Sequence, residues 1–98
     1  MFKRKKKVQE LDGPLNADTL RRWLIEHLAS RVGASPDEID TGRTFESYGL
    51  DSRVAVQVSG ALEKIVERRL SPGLLYEYQT IDALSAHLAK ELHLAERA

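Results

Sequence analysis

Three segments of this chain repeat apolar residues at intervals of three and four, the spacing of one face of an α-helix. In chain order, the three apolar stripes consist of Leu20, Trp23, Leu24, Leu28 and Val32, then Ala55, Val58, Leu62 and Ile65, then Ile81, Leu84, Leu88 and Leu92. The chain has no strand pattern, in which apolar and polar residues alternate, and no internal repeat. The spacing therefore predicts an all-α fold.

Capping residues and chain breakers set the predicted ends of these helices. The first helix begins at Asn16 or Asp18, which are both good N-caps, and Gly33 ends it. The second helix covers residues 52–69, with Asp51 as its N-cap. Both helices are therefore long enough to pack along most of a small domain.

Two further segments complete the predicted architecture. Residues 34–51 form a long connection that includes a short helical turn capped by Ser35. After the breaker Ser71-Pro72-Gly73, residues 74–78 have room only for a short helix, and Thr80 caps the last one. We therefore expect a small four-helix bundle with a long loop between helices 1 and 2 and a short helix 3.

Charge is distributed unevenly along the 98 residues. The chain has 15 basic and 15 acidic residues, but five of the basic ones lie together at its start: Lys3, Arg4, Lys5, Lys6 and Lys7. Without them, ten basic residues stand against fifteen acidic ones, so the rest of the chain is mildly acidic. No hydrophobic run follows the basic segment and no apolar stretch could span a bilayer. We therefore expect a cytoplasmic protein without stable membrane insertion.

These features divide the chain into three parts. Residues 1–15 are a basic, flexible leader, residues 16–94 are the folded domain, and residues 95–98 are a short tail. The leader could contact nucleic acid, but apart from Phe2 it lacks the interleaved aromatic residues of such motifs. We expect a solvated leader or the end of a docking segment, no nucleic-acid partner and a monomeric chain.

The run Gly49-Leu50-Asp51-Ser52 opens the second predicted helix. Ser52 lies on the first turn, where a phosphate ester on its hydroxyl would meet free backbone N–H groups at the positive end of the helix dipole. Asp51 beside that phosphate would favour a divalent cation that bridges the two groups. An isolated Asp-Ser pair is most often only a good helix start, so this interpretation depends on the surrounding sequence.

The order of these features resembles the acyl carrier proteins of fatty-acid and polyketide synthesis over roughly residues 16–94. Gly49-Leu50-Asp51-Ser52 is similar to the attachment motif of that family, and residues 70–81 resemble the polyketide-synthase version of the segment before the last helix. The resemblance implies that Ser52 carries a covalent 4′-phosphopantetheine, received from coenzyme A, and that Asp51 helps to hold magnesium during the transfer. It implies a non-catalytic carrier of acyl thioesters for polyketide, fatty-acid or lipid biosynthesis.

The resemblance also implies which enzymes the chain meets. A phosphopantetheinyl transferase adds the arm, after which an acyl-loading enzyme, a ketosynthase or an acyltransferase acts on it. Arg53 stands where the family usually has an apolar residue that touches partners. Val56, one turn beyond Ser52, is a second expected contact for partner enzymes or for the acyl chain. An arginine after the serine is more similar to carriers loaded by a fatty acyl-adenylate ligase.

Three alternatives stay open. The nearest is a peptidyl carrier of non-ribosomal peptide synthesis, although such carriers usually have a glycine pair where this chain has Leu50-Asp51. The second is an unmodified helical interaction module. The third, a serine enzyme, is disfavoured because no histidine is placed by sequence as a base for Ser52. The identity of the acyl group also stays open. An initial Met with a basic leader favours a stand-alone protein over part of a larger synthase.

Two other groups of side chains have both a structural and a functional interpretation. Trp23 is expected in the core rather than as a stacking residue for a cofactor, because it lies near the first apolar stripe. His87 and Glu91 lie one turn apart and are expected to be a solvated pair, because a metal site needs more ligands than two.

Overall fold

Four α-helices make up most of residues 14–94, the part of the chain described by the structure, a computed structural model. The helices are α1 (Ala17–Val32), α2 (Ser52–Val66), α3 (Leu74–Glu77) and α4 (Ile81–Glu91). Two single turns of 3₁₀ helix, Pro36–Glu38 and Glu46–Tyr48, lie in the long loop between α1 and α2. The predicted all-α bundle, with its long loop and short third helix, is confirmed. Residues 1–13 and 95–98, assigned to the leader and the tail, lie outside the described residues.

Helix α1 begins and ends where its capping residues predict. Asn16 is the N-cap, and its side chain accepts a hydrogen bond from the Thr19 N–H at 2.9 Å while its own N–H donates to the Thr19 hydroxyl at 3.0 Å. This reciprocal pair satisfies two backbone groups that the first turn leaves free. Gly33 ends the helix in the left-handed region at φ 74°, a conformation that glycine adopts without steric cost.

Helix α2 begins as predicted but ends three residues early. Its N-cap is Asp51, and its last residue is Val66, so the predicted end at residue 69 is wrong. Glu67 follows in the left-handed region at φ 57°, which turns the chain away from the helix axis. The Glu63 carboxylate then accepts the Leu70 N–H at 2.7 Å, and Leu70 packs against the core. The sequence pattern missed this turn because none of residues 67–69 is a helix breaker.

One apolar core joins all four helices to the long loop. Its five most deeply buried large side chains are Leu20, Leu62, Ile81, Leu84 and Leu88. The predicted stripes are confirmed at most positions, but three members near the helix ends, Val32, Ile65 and Leu92, are only partly buried. Val66, the last residue of α2, is buried instead, because the chain turns there and Leu70 packs back on the core.

The long loop is held against the bundle by backbone and side-chain hydrogen bonds. The Phe45 N–H donates to the Gln79 carbonyl at 2.8 Å, and the Asp82 N–H donates to the Thr41 carbonyl at 3.1 Å. The Arg21 guanidinium bonds both the Asp82 carboxylate and the Thr41 hydroxyl at 3.1 Å, which joins α1, the loop and α4. These bonds place the end of the loop, and with it the start of α2, at a defined position. Within residues 14–94, no helix has the length and apolar character to cross a membrane.

Candidate functional site

Ser52 is the first residue of α2, and its side chain is exposed to solvent. Gly49 precedes it in the left-handed region at φ 83°, where an L side chain would be strained. Leu50 packs against the core and anchors the turn that leads into the helix. The loop therefore presents the Ser52 hydroxyl at the positive end of the α2 dipole.

Asp51 is the N-cap of α2, and its exposed carboxylate has a defined orientation. Oδ1 accepts a hydrogen bond from the Val54 N–H at 3.0 Å. A carboxylate held beside an exposed serine hydroxyl fits the hard oxygen ligands that magnesium prefers. Within residues 14–94, no three His, Cys, Asp or Glu side chains cluster closely enough to hold a metal ion.

Arg53 and Val56 lie on the exposed part of the same helix. Arg53 follows Ser52 directly, and Val56, one turn along, leaves 51% of its surface exposed. A second cation reaches this helix from α1, because the Arg31 guanidinium donates to the Gln57 side chain at 2.6 Å. The start of α2 therefore combines an exposed hydroxyl, an apolar side chain and one guanidinium group, and a second guanidinium lies further along the helix.

Residues 52–69, the predicted span of α2, contain four basic residues and two acidic ones, an excess of two positive charges. Arg68 and Arg69 lie beyond the helix, which keeps Arg53 and Lys64 as its basic residues and Glu63 as its acidic one. The excess is therefore one positive charge instead of the two counted over residues 52–69. A slight basic excess therefore remains on α2, and Arg31 adds a positive charge from outside the helix.

A cleft of about 150 Å³ opens between α2, α3 and the loop. It is lined by Thr44, Phe45, Glu46, Ala55, Leu75, Tyr76 and Gln79. Ala55 lies one turn beyond Ser52, so the cleft begins close to the proposed attachment site. Tyr76, which the sequence analysis did not single out, is 55% exposed at its rim. The only sequence signal for it was its place in the short third helix, next to the buried Leu74 and Leu75.

Two of the three histidines form aromatic stacks. Trp23 is buried as expected, and its ring stacks on His27 with 4.6 Å between centroids. His27 itself is only 6% exposed, which the sequence analysis did not anticipate. Burial lowers the pKa of His27 below its ordinary value, and the positive charge of Arg31 lowers it further. His87 stacks on Tyr78 with 3.9 Å between centroids, so its ring is not simply solvated.

A four-helix bundle that presents an exposed serine at the start of its second helix, beside a small cleft, has the form of a carrier domain. The model of the family described as "phosphopantetheine attachment site" matches residues 22–88, and the chain belongs to that family. It is therefore an acyl carrier whose cofactor is 4′-phosphopantetheine, bound covalently to a serine. The expected fold, the acyl carrier function and the covalent phosphopantetheine cofactor are confirmed, and the assignment of Ser52 stays a prediction.

Known proteins that resemble the chain include parts of large synthases. It is 43% identical over 70 residues to one subunit of the phenolphthiocerol/phthiocerol polyketide synthase of Mycobacterium tuberculosis. That alignment covers 71% of this chain but only 4% of the relative. The chain is also 40% identical over 89 residues to the pikromycin polyketide synthase component PikAIII of Streptomyces venezuelae. This alignment covers 90% of the chain and 6% of the relative. The chain thus spans a small fraction of the relatives it matches.

Solved structures that resemble the chain include separate carrier proteins of similar size. A free-standing peptidyl carrier protein from Acinetobacter baumannii has 39% identity and a TM-score of 0.73, with 79% of this chain and 96% of that chain covered. An acyl carrier protein from Anabaena sp. PCC 7120 has 32% identity and a TM-score of 0.77, with 84% of this chain and 93% of that chain covered. The latter is described as having a variant phosphopantetheinylation-site sequence.

Proposed function

We propose that Ser52 is the serine that carries the phosphopantetheine arm. The observation that supports it is its position: of the seven serines between residues 22 and 88, Ser52 alone opens an α-helix. Ser59 and Ser85 are buried, and the Ser47 hydroxyl donates to the Thr44 carbonyl at 2.7 Å. The other three, Ser30, Ser35 and Ser71, lie near the end of α1 or in loops. An exposed hydroxyl at a helix N-terminus best fits a group that must hold a phosphate.

The proposed transfer is a substitution at phosphorus. The Ser52 hydroxyl oxygen attacks the pantetheine-linked phosphorus of coenzyme A, and a new P–O bond forms as the pyrophosphate P–O bond breaks. Adenosine 3′,5′-bisphosphate leaves with the electron pair, and a base of the transferase takes the hydroxyl proton. Asp51 would supply a carboxylate ligand for a magnesium ion, which would stabilise the negative charge of the reacting phosphates.

The proposed role is to carry acyl groups without catalysing their reactions. The bound arm supplies a thiol for thioester formation, which this cysteine-free chain otherwise lacks. The placement of two histidines agrees with a non-catalytic role, because His27 is buried in the core and His87 is stacked on Tyr78. Ser52 would thus be a substrate for other enzymes instead of an activated nucleophile.

The proposed partners are a phosphopantetheinyl transferase and enzymes that load and use the acyl group. Similarity to polyketide synthases supports a role in polyketide or related lipid synthesis, with a ketosynthase or an acyltransferase as a partner. The exposed Arg53 favours a loading enzyme with an acidic surface, and we propose a fatty acyl-adenylate ligase. Val56 would contact such partners through its exposed apolar surface.

A peptidyl carrier is the second candidate function. The 39% identity to the free-standing peptidyl carrier protein of Acinetobacter baumannii favours it. Both candidates use the same arm and serine, so they differ in the group that is loaded. The exposed residues around Ser52, above all Arg53, would decide which loading enzyme binds.

A loading assay distinguishes the two candidates. The phosphopantetheinylated protein is incubated with ATP and either a fatty acid and its acyl-adenylate ligase or an amino acid and an adenylation domain. We expect a mass gain with the fatty acid that hydroxylamine removes, as it does for a thioester. The same protein without the arm is the control. A gain only with the amino acid would replace the acyl carrier proposal by the peptidyl one, and a gain without the arm would contradict both.

A further inference from the structure

His27 is a buried side chain whose polar atoms lack partners. Among the described residues, neither Nδ1 nor Nε2 has a hydrogen-bond partner, and both nitrogens are inaccessible to solvent. A neutral imidazole has one donor and one acceptor, and leaving either unsatisfied in an apolar interior is destabilising. An apolar side chain at this position would avoid that cost, so a histidine here suggests a use for its polar atoms.

The ring of His27 borders a small cavity inside the bundle. The cavity has a volume of about 10 Å³, and its other walls are apolar: Leu24, Leu28, Phe45, Leu50, Val58 and Leu75. That volume holds roughly one small polar group. His27 is the only polar side chain in its lining, so a group that enters would find a single hydrogen-bond partner there.

The inner cavity and the outer cleft share two walls. Phe45 and Leu75 line both, so these two side chains separate the cleft beside Ser52 from the cavity beside His27. Both side chains are buried, with Phe45 6% and Leu75 3% exposed, so a chain that enters from the cleft has to displace them. A chain that enters the cleft near Ala55 and displaces them would therefore reach the His27 ring with its far end.

We propose that His27 selects acyl chains that carry a hydroxyl or carbonyl oxygen near their distal end, by hydrogen bonding that oxygen in the inner cavity. This inference rests on the proposed attachment at Ser52, and it names the class of cargo for the same arm. The end of a fully saturated chain would occupy the cavity but has no oxygen, so it would leave the His27 ring nitrogens without a hydrogen-bond partner. The hydrogen bond to an oxygenated chain would therefore stabilise that loaded form selectively.

The neighbouring polar atoms do not offer the same function. The Trp23 indole nitrogen and the Ser59 hydroxyl are also buried without partners among the described residues, but neither side chain lines the cavity. The stack with Trp23 instead fixes the plane of the His27 ring. His27 is thus the residue through which a bound chain could be recognised by its polarity.

The test compares two arms attached at Ser52 by a transferase that uses acyl-coenzyme A. One carries a saturated chain, and the other the same chain with a hydroxyl group on its penultimate carbon. In the wild type we expect the hydroxylated form to melt about 4–8 °C higher, the effect of one hydrogen bond in a domain of this size. The ring nitrogen NMR signals of His27 should also shift only with the hydroxylated chain.

Two variants keep this test interpretable. His27→Leu should abolish the difference between the two chains, while His27→Gln, which keeps a donor and an acceptor, should retain part of it. Comparing two cargoes within each variant removes any effect of the substitution on basal stability. Equal melting of both loaded forms in the wild type, or ring signals that match the unloaded protein, would overturn the inference and indicate a structural histidine or a bound water.

Mass spectrometry of the loaded protein separates this inference from the proposed function. If Ser52 takes the arm but the two cargoes behave alike, only the selection by His27 fails. If the arm does not attach at Ser52, both proposals fail, because the chain would hold no acyl group beside the cleft.

Discussion

The Asp51 carboxylate has two roles: it caps α2, and we propose that it binds magnesium during the transfer of the arm. Its Oδ1 caps α2 through the Val54 N–H, and its charge lies beside the hydroxyl that would receive a phosphate. Asparagine is as good an N-cap as aspartate but lacks the charge. The two roles can therefore be separated by a single substitution.

The first prediction concerns Asp51→Asn. We expect the free energy of unfolding to change by less than about 0.5 kcal/mol, because the cap is kept. Modification by the transferase should slow by at least roughly 10–100-fold, because changes in the outer-shell partners of metal ligands already cost that much. Urea unfolding and the initial rate of mass gain measure the two effects. Modification at the wild-type rate would show that the carboxylate is not a magnesium ligand.

The second prediction is a loss of stability in mild acid through His27. Its pKa is lowered in the folded state by burial and by Arg31, so the unfolded chain binds the proton more readily. The contribution of neutral His27 to the stability of the fold is fully present above the unfolded pKa of about 6.5. It is lost as the pH falls through the lower pKa of the folded state. The His27→Gln variant should lose less stability between about pH 7 and pH 5 in urea titrations. Parallel curves for the two proteins would contradict the prediction.

At the scale of elements, α2 joins the site to the core. Its first turn presents Ser52, while Leu62, almost three turns further along, is fully buried. Large side chains on this inner stripe fix the rotation of the helix and thus the direction in which its first turn faces. Core packing and the site therefore depend on the same helix.

The third prediction is that Leu62→Ala destabilises the fold by roughly 2–5 kcal/mol, the usual effect of removing a buried leucine side chain. In so small a domain this loss could unfold much of the population. Lys64→Ala, an exposed change on the same helix, is the matched control and should have little effect. Thermal melts measure both, and a Leu62→Ala melt like that of the wild type would mean that α2 buries another face.

The helix starts could be predicted from sequence better than the helix ends. Asn16, Asp51 and Thr80 each cap a helix through a side-chain oxygen, which is a local interaction between residues three apart. The end of α2 depends instead on Glu67 adopting a left-handed conformation while Leu70 packs on the core. That turn is driven by tertiary packing, which no local pattern contains.

At the scale of the whole molecule, the attachment motif was predictable and the interior beside it was not. Ser52 and Asp51 are adjacent in sequence, so their motif is visible without a structure. The inner cavity brings His27 of α1 together with Phe45 of the loop and Leu75 of α3, and only the packing of the bundle makes them neighbours. Sequence reasoning consequently identified the serine that we propose as the attachment residue but not the space beside it.

The fourth prediction concerns the charge that partner enzymes meet. Arg53→Glu should leave the fold intact and slow acyl loading by the ligase, mainly through slower association and more strongly at low ionic strength. Lys64→Glu makes the same charge change farther from Ser52 and should have a smaller effect. Loading rates at two salt concentrations measure this. Equal rates for wild type and Arg53→Glu would remove the argument for this class of loading enzyme.

The central claim is that Ser52 carries the arm, and intact mass spectrometry tests it most directly. The wild type and Ser52→Ala are each incubated with coenzyme A, magnesium and a broad-specificity phosphopantetheinyl transferase, with Ser71→Ala as an exposed-serine control. We expect one phosphopantetheine on the wild type and on Ser71→Ala, and none on Ser52→Ala, whose helicity stays intact because Asp51 keeps the cap. An unmodified wild type, or an arm on Ser52→Ala, would contradict the claim.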